Sequence, residues 1–96
     1  MKWLFSDGPA TAVFTSRSIA KGVDWIYYVS HDADDGAWQF LPYSGPPDES
    51  EAAVVSLSAI VGAEPRVSEL ADLPLGWHAW RETPEAEWVR KANDQS

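Results

Sequence analysis

Cysteine is absent from this chain, and several other kinds of residue or segment are scarce. Without cysteine there is no disulfide, no thiol nucleophile and no cysteine-ligated metal. The sequence has only two histidines, so a three-histidine metal site is excluded as well. No apolar run approaches the about 20 residues that cross a bilayer, and the apolar run at residues 3–5 is too short for a signal peptide. We therefore expect a cytoplasmic protein.

Basic residues are also few. Lys and Arg number 7 against 15 Asp and Glu, so the 96 residues carry a net charge of −8. Phosphate binding and anionic membrane surfaces both require Lys and Arg, so we expect neither nucleic acid nor a membrane as partner. The charge favours a basic protein partner, whose approach an acidic surface accelerates. The alternative is that the acidity only keeps a small protein in solution.

The negative charge is concentrated in the middle of the sequence. Residues 22–65 contain eight acids and no Lys or Arg, whereas the segments before and after them carry net charges of +2 and −2. Gly and Pro in this stretch predict a turn at 31–36 and a loop at 42–50. We predict that five acids of the turn and the loop contact a partner: Asp32, Asp34, Asp35, Asp48 and Glu49.

Large aromatic residues are abundant, with six Trp, three Tyr and three Phe. At 45% hydrophobic residues, the composition predicts a single compact domain over residues 1–96. We assign Trp25 and Trp38 to its core. A core of this size is small for so many rings, and exposed Trp and Tyr commonly anchor protein interfaces. We therefore predict five further partner contacts near chain-breaking Pro and Gly: Tyr43, Trp77, His78, Trp80 and Arg81.

Strand patterns occur at five places in the sequence. Alternating or continuous apolar residues predict strands at 12–15, 23–30, 37–41 and 77–81, and a brief strand at residues 54 and 55. We expect 23–30 to be central and to pair with 37–41 as a hairpin. In the strand at 77–81, Trp77 and Trp80 would point to opposite faces, so one of them should be less buried.

Sequence patterns typical of short helices lie between or after these strands. Thr15 or Ser16 caps a predicted helix at 16–21, and Ser56 caps another at 57–61, which Gly62 would end. Further helices are predicted from Pro65 and from residues 83–85 onward, and the tail 93–96 should fray. These patterns predict an α+β domain with a small antiparallel sheet, a central β-hairpin at about 23–41, and three or four short helices.

No motif of the sequence specifies a catalytic or metal site. A general base at His78 would need a nucleophile or an orienting acid, and no motif supplies either. A calcium loop at 31–36 would place Ala33 and Pro42 where oxygen ligands are required, so that interpretation fails. We therefore predict no enzyme activity, no metal and no cofactor.

Several short motifs occur together in a fixed order: Gly36-Ala37-Trp38-Gln39-Phe40, Val55-Ser56-Leu57-Ser58-Ala59-Ile60, Glu64-Pro65, Leu70-Ala71-Asp72-Leu73-Pro74-Leu75-Gly76 and Arg81. As a set they resemble a family of small bacterial proteins. That family was first catalogued as a domain of unknown function and later grouped with the immunity proteins of polymorphic toxin systems. The resemblance covers roughly residues 25–81.

The resemblance implies a non-catalytic protein that binds and neutralises a toxin domain, with no catalytic residue and no cofactor. An acidic surface with exposed aromatic residues would provide the contact. The alternative is a regulatory domain that binds a small molecule or a peptide. Such a domain could be a homodimer that buries its exposed aromatic residues between copies, so both a monomer and a homodimer are compatible with the sequence.

Overall fold

The computed structural model describes residues 3–93, which form an α+β domain. Six strands and three short helices follow one another in this range: β1 (Ala12–Ser16), α1 (Arg17–Ala20), β2 (Tyr28–His31), β3 (Trp38–Leu41), β4 (Ala52–Ser56), α2 (Leu57–Ala63), a 3₁₀ helix (Pro65–Leu70), β5 (Trp77–Trp80) and β6 (Val89–Ala92). The strands form one sheet in the order β4-β1-β3-β2-β5-β6.

The sheet is larger than predicted and it is mixed. Strands β1 and β3 are parallel, with Phe14 opposite Gln39, while the other four pairs are antiparallel. The prediction of a small antiparallel sheet is therefore wrong in both size and pairing. The parallel pair joins strands that are distant in the sequence, so hydrophobic patterning within each strand carries no trace of it.

The central antiparallel pair is shorter than the segment 23–41. Strand β2 pairs with β3, and Val29 lies opposite Phe40. The backbone N–H of Tyr27 still donates to Leu41 O at 2.9 Å. The carbonyl of Ile26, however, accepts a hydrogen bond from the Arg81 side chain. At Ile26 a side chain therefore satisfies the backbone carbonyl that a neighbouring strand would otherwise pair with. The segment 23–27, which was predicted to belong to the strand, is irregular.

One face of the sheet is covered by the helices, and the core lies between them. The strands contribute alternate residues such as Val13, Val29 and Phe40, and the helices contribute Leu57 and Ile60. Trp38 is 1% exposed, which confirms its place in this core. Trp25 is only half-buried and is not part of the core, so its assignment is wrong.

The helices begin largely as their caps predict. Ser16 Oγ accepts from Ile19 N, and Ser56 Oγ accepts from Ala59 N, both at 3.2 Å. Helix α2 continues through Gly62 to Ala63 instead of ending there. It is the longest helix of residues 3–93, with seven residues, and no helix in that range is long and apolar enough to cross a membrane.

The predicted C-terminal helix is wrong, because its last residues form strand β6. Ala79 of β5 lies opposite Arg90, and Asn93 N donates to Gly76 O at 2.7 Å. Pairing with the otherwise open edge of β5 satisfies a row of backbone groups that an isolated helix would leave exposed. Asn93 is therefore held and not frayed, while 94–96, the rest of the predicted tail, lie outside the described residues.

Candidate functional site

The side of the sheet opposite the helices is the candidate site, and we call it the open face. Successive strand residues point to opposite sides, so each strand presents alternate side chains there. The open face includes Phe14, Tyr28, Ser30, Gln39, Leu41, Val54, His78, Trp80, Val89 and Lys91, which lies opposite His78 and adds one positive charge beside the acidic turn. Its apolar members include Phe14, which is 49% exposed, and Val54, which is 61% exposed. Leu41 is buried, whereas the other residues of the open face are partly or largely exposed.

Three rings in the middle of the open face form an aromatic ladder, made of Tyr28, His78 and Trp80. Strand register sets Tyr28 opposite Trp80. The His78 ring stacks on both neighbours, with ring centroids 5.5 Å apart in each case. The His78 Nδ1 atom also forms a short hydrogen bond with the amide oxygen of Asn93. The rings are thus fixed before any partner arrives, which reduces the entropy lost on binding.

Burial also affects the ionisation of Tyr28. Partial removal from water raises the pKa of its hydroxyl above the ordinary value of 10.0, because burial disfavours the charged phenolate. The ring is therefore neutral at physiological pH. Its hydroxyl is a hydrogen-bond donor at the surface of an apolar ladder, a combination that is common at protein interfaces.

Two grooves lie on the open face beside the ladder. One has a volume of about 340 Å³ and includes Phe14 and Val54, and the other has a volume of about 360 Å³ and includes Tyr28. Both share Leu41 and Pro46 in their walls. The loop that follows β3 therefore folds back over the sheet and divides the apolar part of the face in two.

Tyr43 lies in this loop and is exposed, as predicted, at 65%. Its ring packs edge-on against Tyr27 at 4.9 Å and stacks near Trp25 at 6.1 Å. The ring also lines the groove that contains Tyr28. Tyr43 thus continues the aromatic surface to the end of β3.

The predicted acidic residues divide between two ends of the sheet. Strand β3 runs from the turn 32–37 to the loop 42–51, so its full length separates them. Asp32, Asp34 and Asp35 belong to the turn end, whereas Asp48 and Glu49 belong to the loop end, and the acids do not form one cluster.

Hydrogen bonds fix the acids of the turn end. Asp32 Oδ1 accepts from Asp34 N at 2.8 Å, and Asp35 Oδ1 accepts from Ala37 N at 2.9 Å. Asp32 and Asp34 also line a polar hollow of about 330 Å³ together with Tyr28 and Asn93. Negative charge therefore lies directly beside the aromatic ladder.

Asp48 is equally well fixed at the loop end. Its Oδ1 atom accepts from Ser50 Oγ at 2.7 Å and from Glu51 N at 3.1 Å. The bond from Ser50, followed by that from the Glu51 backbone, lowers the pKa of Asp48 below its ordinary value of 3.8. Asp48 is exposed, and its carboxylate stays charged over the whole physiological range.

One of the predicted partner contacts is wrong, and another lies away from the open face. Arg81 is 0% exposed, so no partner can reach it, and its guanidinium binds groups within the protein. Trp77 lies on the helix side of the sheet and packs against the core. The alternation of strand residues places His78 and Trp80 on the open face instead, where both are half-buried.

The two histidines of the chain have separate environments. The ring of His31 stacks on Trp38 at 3.9 Å, and its Nδ1 atom lies 2.8 Å from Leu73 O. It belongs to the packing of the helix side and not to the ladder. Within residues 3–93, no group of three His, Asp or Glu side chains is close enough to hold a metal ion.

Sequence reasoning missed Phe14, Tyr28 and Asn93 as site residues. Tyr28 alternates with the buried Val29, and this alternation indicates its outward direction. Because both faces of the predicted strand 23–30 carry large apolar residues, the sequence does not show which face is exposed. Asn93 could not be found, because its contact with His78 depends on the unexpected strand β6.

Comparison with known proteins adds no identification. No protein-family model, curated protein or solved structure gives a significant match to this chain.

Proposed function

We propose that this protein is a non-catalytic binding protein, similar to a bacterial immunity protein, that neutralises a basic toxin domain in the cytoplasm. The observation that carries the proposal is the aromatic ladder on a sheet face that no helix of residues 3–93 covers. Rigid aromatic rings with polar tips supply most of the binding energy in many protein interfaces.

The charges favour a basic partner. Acids lie at both ends of β3, with the apolar part of the open face between them. Asp32 and Asp34 adjoin the ladder itself. A partner with a small apolar centre and Lys or Arg on two sides would match this pattern, and the net charge of −8 would accelerate its approach.

The surroundings of His78 agree with a binding role. Its described partners are two aromatic rings and the amide of Asn93. The Asn93 amide holds the orientation of the ring, and neither a carboxylate nor a nucleophile is among these described partners. Neutralisation by occlusion requires only that the toxin active site be covered, so the proposal assigns no chemistry to these side chains.

A growth assay tests this function. A toxin-like domain from a reading frame next to the gene, where one is present, is expressed in a bacterium, alone or together with this protein. Wild-type protein should restore growth, and the Tyr28→Ala/Trp80→Ala double variant should not. The matched control is Leu4→Ala/Val23→Ala, which truncates two exposed apolar residues (53% and 76% exposed) that are not part of the open face and should restore growth. Equal rescue by all three proteins would contradict the proposal.

The groove beside Tyr28 favours a second candidate function. Its volume of about 360 Å³ suits a small molecule or a peptide segment, as a regulatory domain would require. A thermal-shift screen distinguishes the two functions. A ligand that raises the Tm of the wild type but not of Leu41→Gln, combined with no toxin-like domain beside the gene, would support this second function.

A further inference from the structure

Strand β4 forms one edge of the sheet and is unprotected. Its sequence, Ala52-Ala53-Val54-Val55-Ser56, has no charge and no proline. The other edge, β6, carries Arg90 and Lys91, and charged residues are the usual protection of an edge strand against pairing. The two edges of this sheet therefore differ in their capacity to accept another strand.

The hydrogen-bond register shows which groups of β4 point outward. Arg17 N donates to Glu51 O at 2.7 Å, and Leu57 N donates to Thr11 O at 2.8 Å. Hydrogen-bonded pairs alternate in an antiparallel ladder. Ala53 and Val55 consequently bond to β1. The N–H and C=O groups of Ala52, Val54 and Ser56 point away from the sheet.

Part of this outward set is already satisfied within the chain. Ala52 N donates to Asp48 O at 2.9 Å. Ser56 is the N-cap of α2, and the carbonyl of an N-cap residue accepts the first bond of its helix. The groups that remain are the carbonyl of Ala52, both groups of Val54 and the N–H of Ser56.

We propose that this edge pairs with β4 of a second copy of the chain. An antiparallel two-fold pairing about Val54 places Ala52 of each copy opposite Ser56 of the other. Each remaining donor then meets a remaining acceptor. Val54 N–H bonds to the Val54 carbonyl across the axis, and Ser56 N–H bonds to the Ala52 carbonyl, twice each. The arrangement is closed, because both copies use the same residues.

The side chains and charges fit the same arrangement. Phe14 and Val54 are neighbours in register on the open face, so the pairing joins two exposed apolar patches into one. Glu51 directly precedes β4, and the antiparallel order keeps the acidic loops of the two copies at opposite ends of the new strand pair. The exposed residues of α2 are Ser58, Ala59, Gly62 and Ala63, so none of its long side chains overhangs the edge.

Sedimentation velocity over a concentration series tests the pairing, at about 0.5 M salt to screen the like charges. The mass should rise from 10.6 kDa toward twice that value. Val54→Pro removes an N–H that the β1 ladder does not use, so the fold should persist while the dissociation constant rises at least about tenfold. Val54→Thr keeps both backbone groups and should dimerise like the wild type.

Val54→Lys is a second variant in case the proline disturbs the strand. It should prevent pairing, while Val89→Lys on the opposite edge should not.

Amide exchange locates the contact: protection at Val54 and Ser56 should increase with concentration, and protection at Ala53 and Val55 should not. A monomer at all concentrations would overturn the inference. So would a dimer that Val54→Pro and Val54→Lys leave intact, or protection at Arg90 and Ala92 instead. The growth assay of the open face uses variants at Tyr28 and Trp80 and none in β4, so failure of the strand pairing and failure of the proposed function are read from separate experiments.

Discussion

Arg81 and Glu64 form an ion pair across the core, with Arg81 Nη2 lying 3.2 Å from Glu64 Oε2. The Arg81 side chain is 0% exposed and that of Glu64 is 24% exposed. Arg81 Nε donates to Ile26 O and Nη1 to Pro84 O, each at 2.9 Å. One guanidinium at the end of β5 thus binds three other segments. Ile26 lies before β2, Pro84 follows β5, and Glu64 lies between α2 and the 3₁₀ helix.

Arg81→Ala should therefore be strongly destabilising. The variant leaves the Ile26 carbonyl without a donor and removes the cation that lies 4.4 Å from the centre of the Trp88 ring. Breaking a buried ion pair costs about 3–5 kcal/mol, a large part of the stability of a small domain. Urea unfolding measures this loss.

Arg81→Lys and Glu64→Gln separate geometry from charge in the same assay. Lys carries a positive charge but not the planar set of donors, so it should be nearly as destabilising as Ala. Glu64→Gln retains a hydrogen-bond acceptor but leaves the buried charge of Arg81 without its carboxylate, so it should also be strongly destabilising, by about 3 kcal/mol or more. Wild-type stability of Arg81→Lys would contradict this account.

Asp72 should titrate below its ordinary value of 3.8, because Arg90 donates a hydrogen bond to it and attracts its charge, which lowers its pKa. A carboxylate with a lowered folded pKa adds stability above its unfolded pKa. That stability is lost as the pH falls through the folded pKa. NMR titration of the Asp carboxyl carbons should show this low value for Asp72.

Arg90→Gln tests the cause of that shift. The pKa of Asp72 should return toward its ordinary value, and the acid-induced loss of stability assigned to it should disappear. Asp48 provides the control, since Ser50 and the Glu51 backbone lower its pKa and Arg90 does not. An unchanged Asp72 titration in Arg90→Gln would show that the Arg90 contact does not persist in solution.

The Tyr28 hydroxyl should lose its proton at higher pH than that of a fully exposed tyrosine, because burial raises its pKa above 10.0. With a raised folded pKa, its contribution to stability is complete below the unfolded value and declines as the pH rises through the folded one. Absorbance at alkaline pH, compared between wild type and Tyr28→Phe, isolates this group. A Tyr28 transition at the ordinary value would indicate that the ladder opens in solution.

The turn-end acids should control the rate of partner binding. Asp32→Asn/Asp34→Asn/Asp35→Asn removes three charges, and the Asn oxygens can still accept the turn hydrogen bonds given by Asp34 N and Ala37 N. Association with the partner should become several-fold slower and less salt-dependent, with little change in dissociation. Stopped-flow fluorescence measures both rates, and an unchanged association rate would contradict electrostatic steering.

Local signals predicted much of the fold. The caps Ser16 and Ser56 and the strand at 77–81 depend on short-range hydrogen bonding and alternation, so the sequence displays them directly. The pairing of β1 with β3 and the strand β6 depend on distant partners. The helix predicted from residues 83–85 onward is replaced at its end by β6, because the edge of β5 offers backbone partners there.

The site was predicted only in part for the same reason. The exposure of the acids and of Tyr43 can be predicted from the charge of the sequence and from the Gly and Pro residues of the turn and loop. Arg81 looked like a surface residue because a lone Arg among acids is usually solvated, and only the long-range contacts with Ile26 and Glu64 reveal its burial. His78 and Trp80 were correctly grouped by alternation, but their stacking with Tyr28 requires the β2–β5 register.

The most direct test of the open face is a calorimetric titration of the partner, isolated by affinity capture from the native lysate, into wild-type protein and Trp80→Ala. Removing an interface anchor costs at least about 2 kcal/mol, so the account predicts binding about 30-fold weaker or worse for Trp80→Ala. Leu4→Ala/Val23→Ala should bind like the wild type. Equal affinity of Trp80→Ala and wild type would contradict the assignment of the open face as the binding surface.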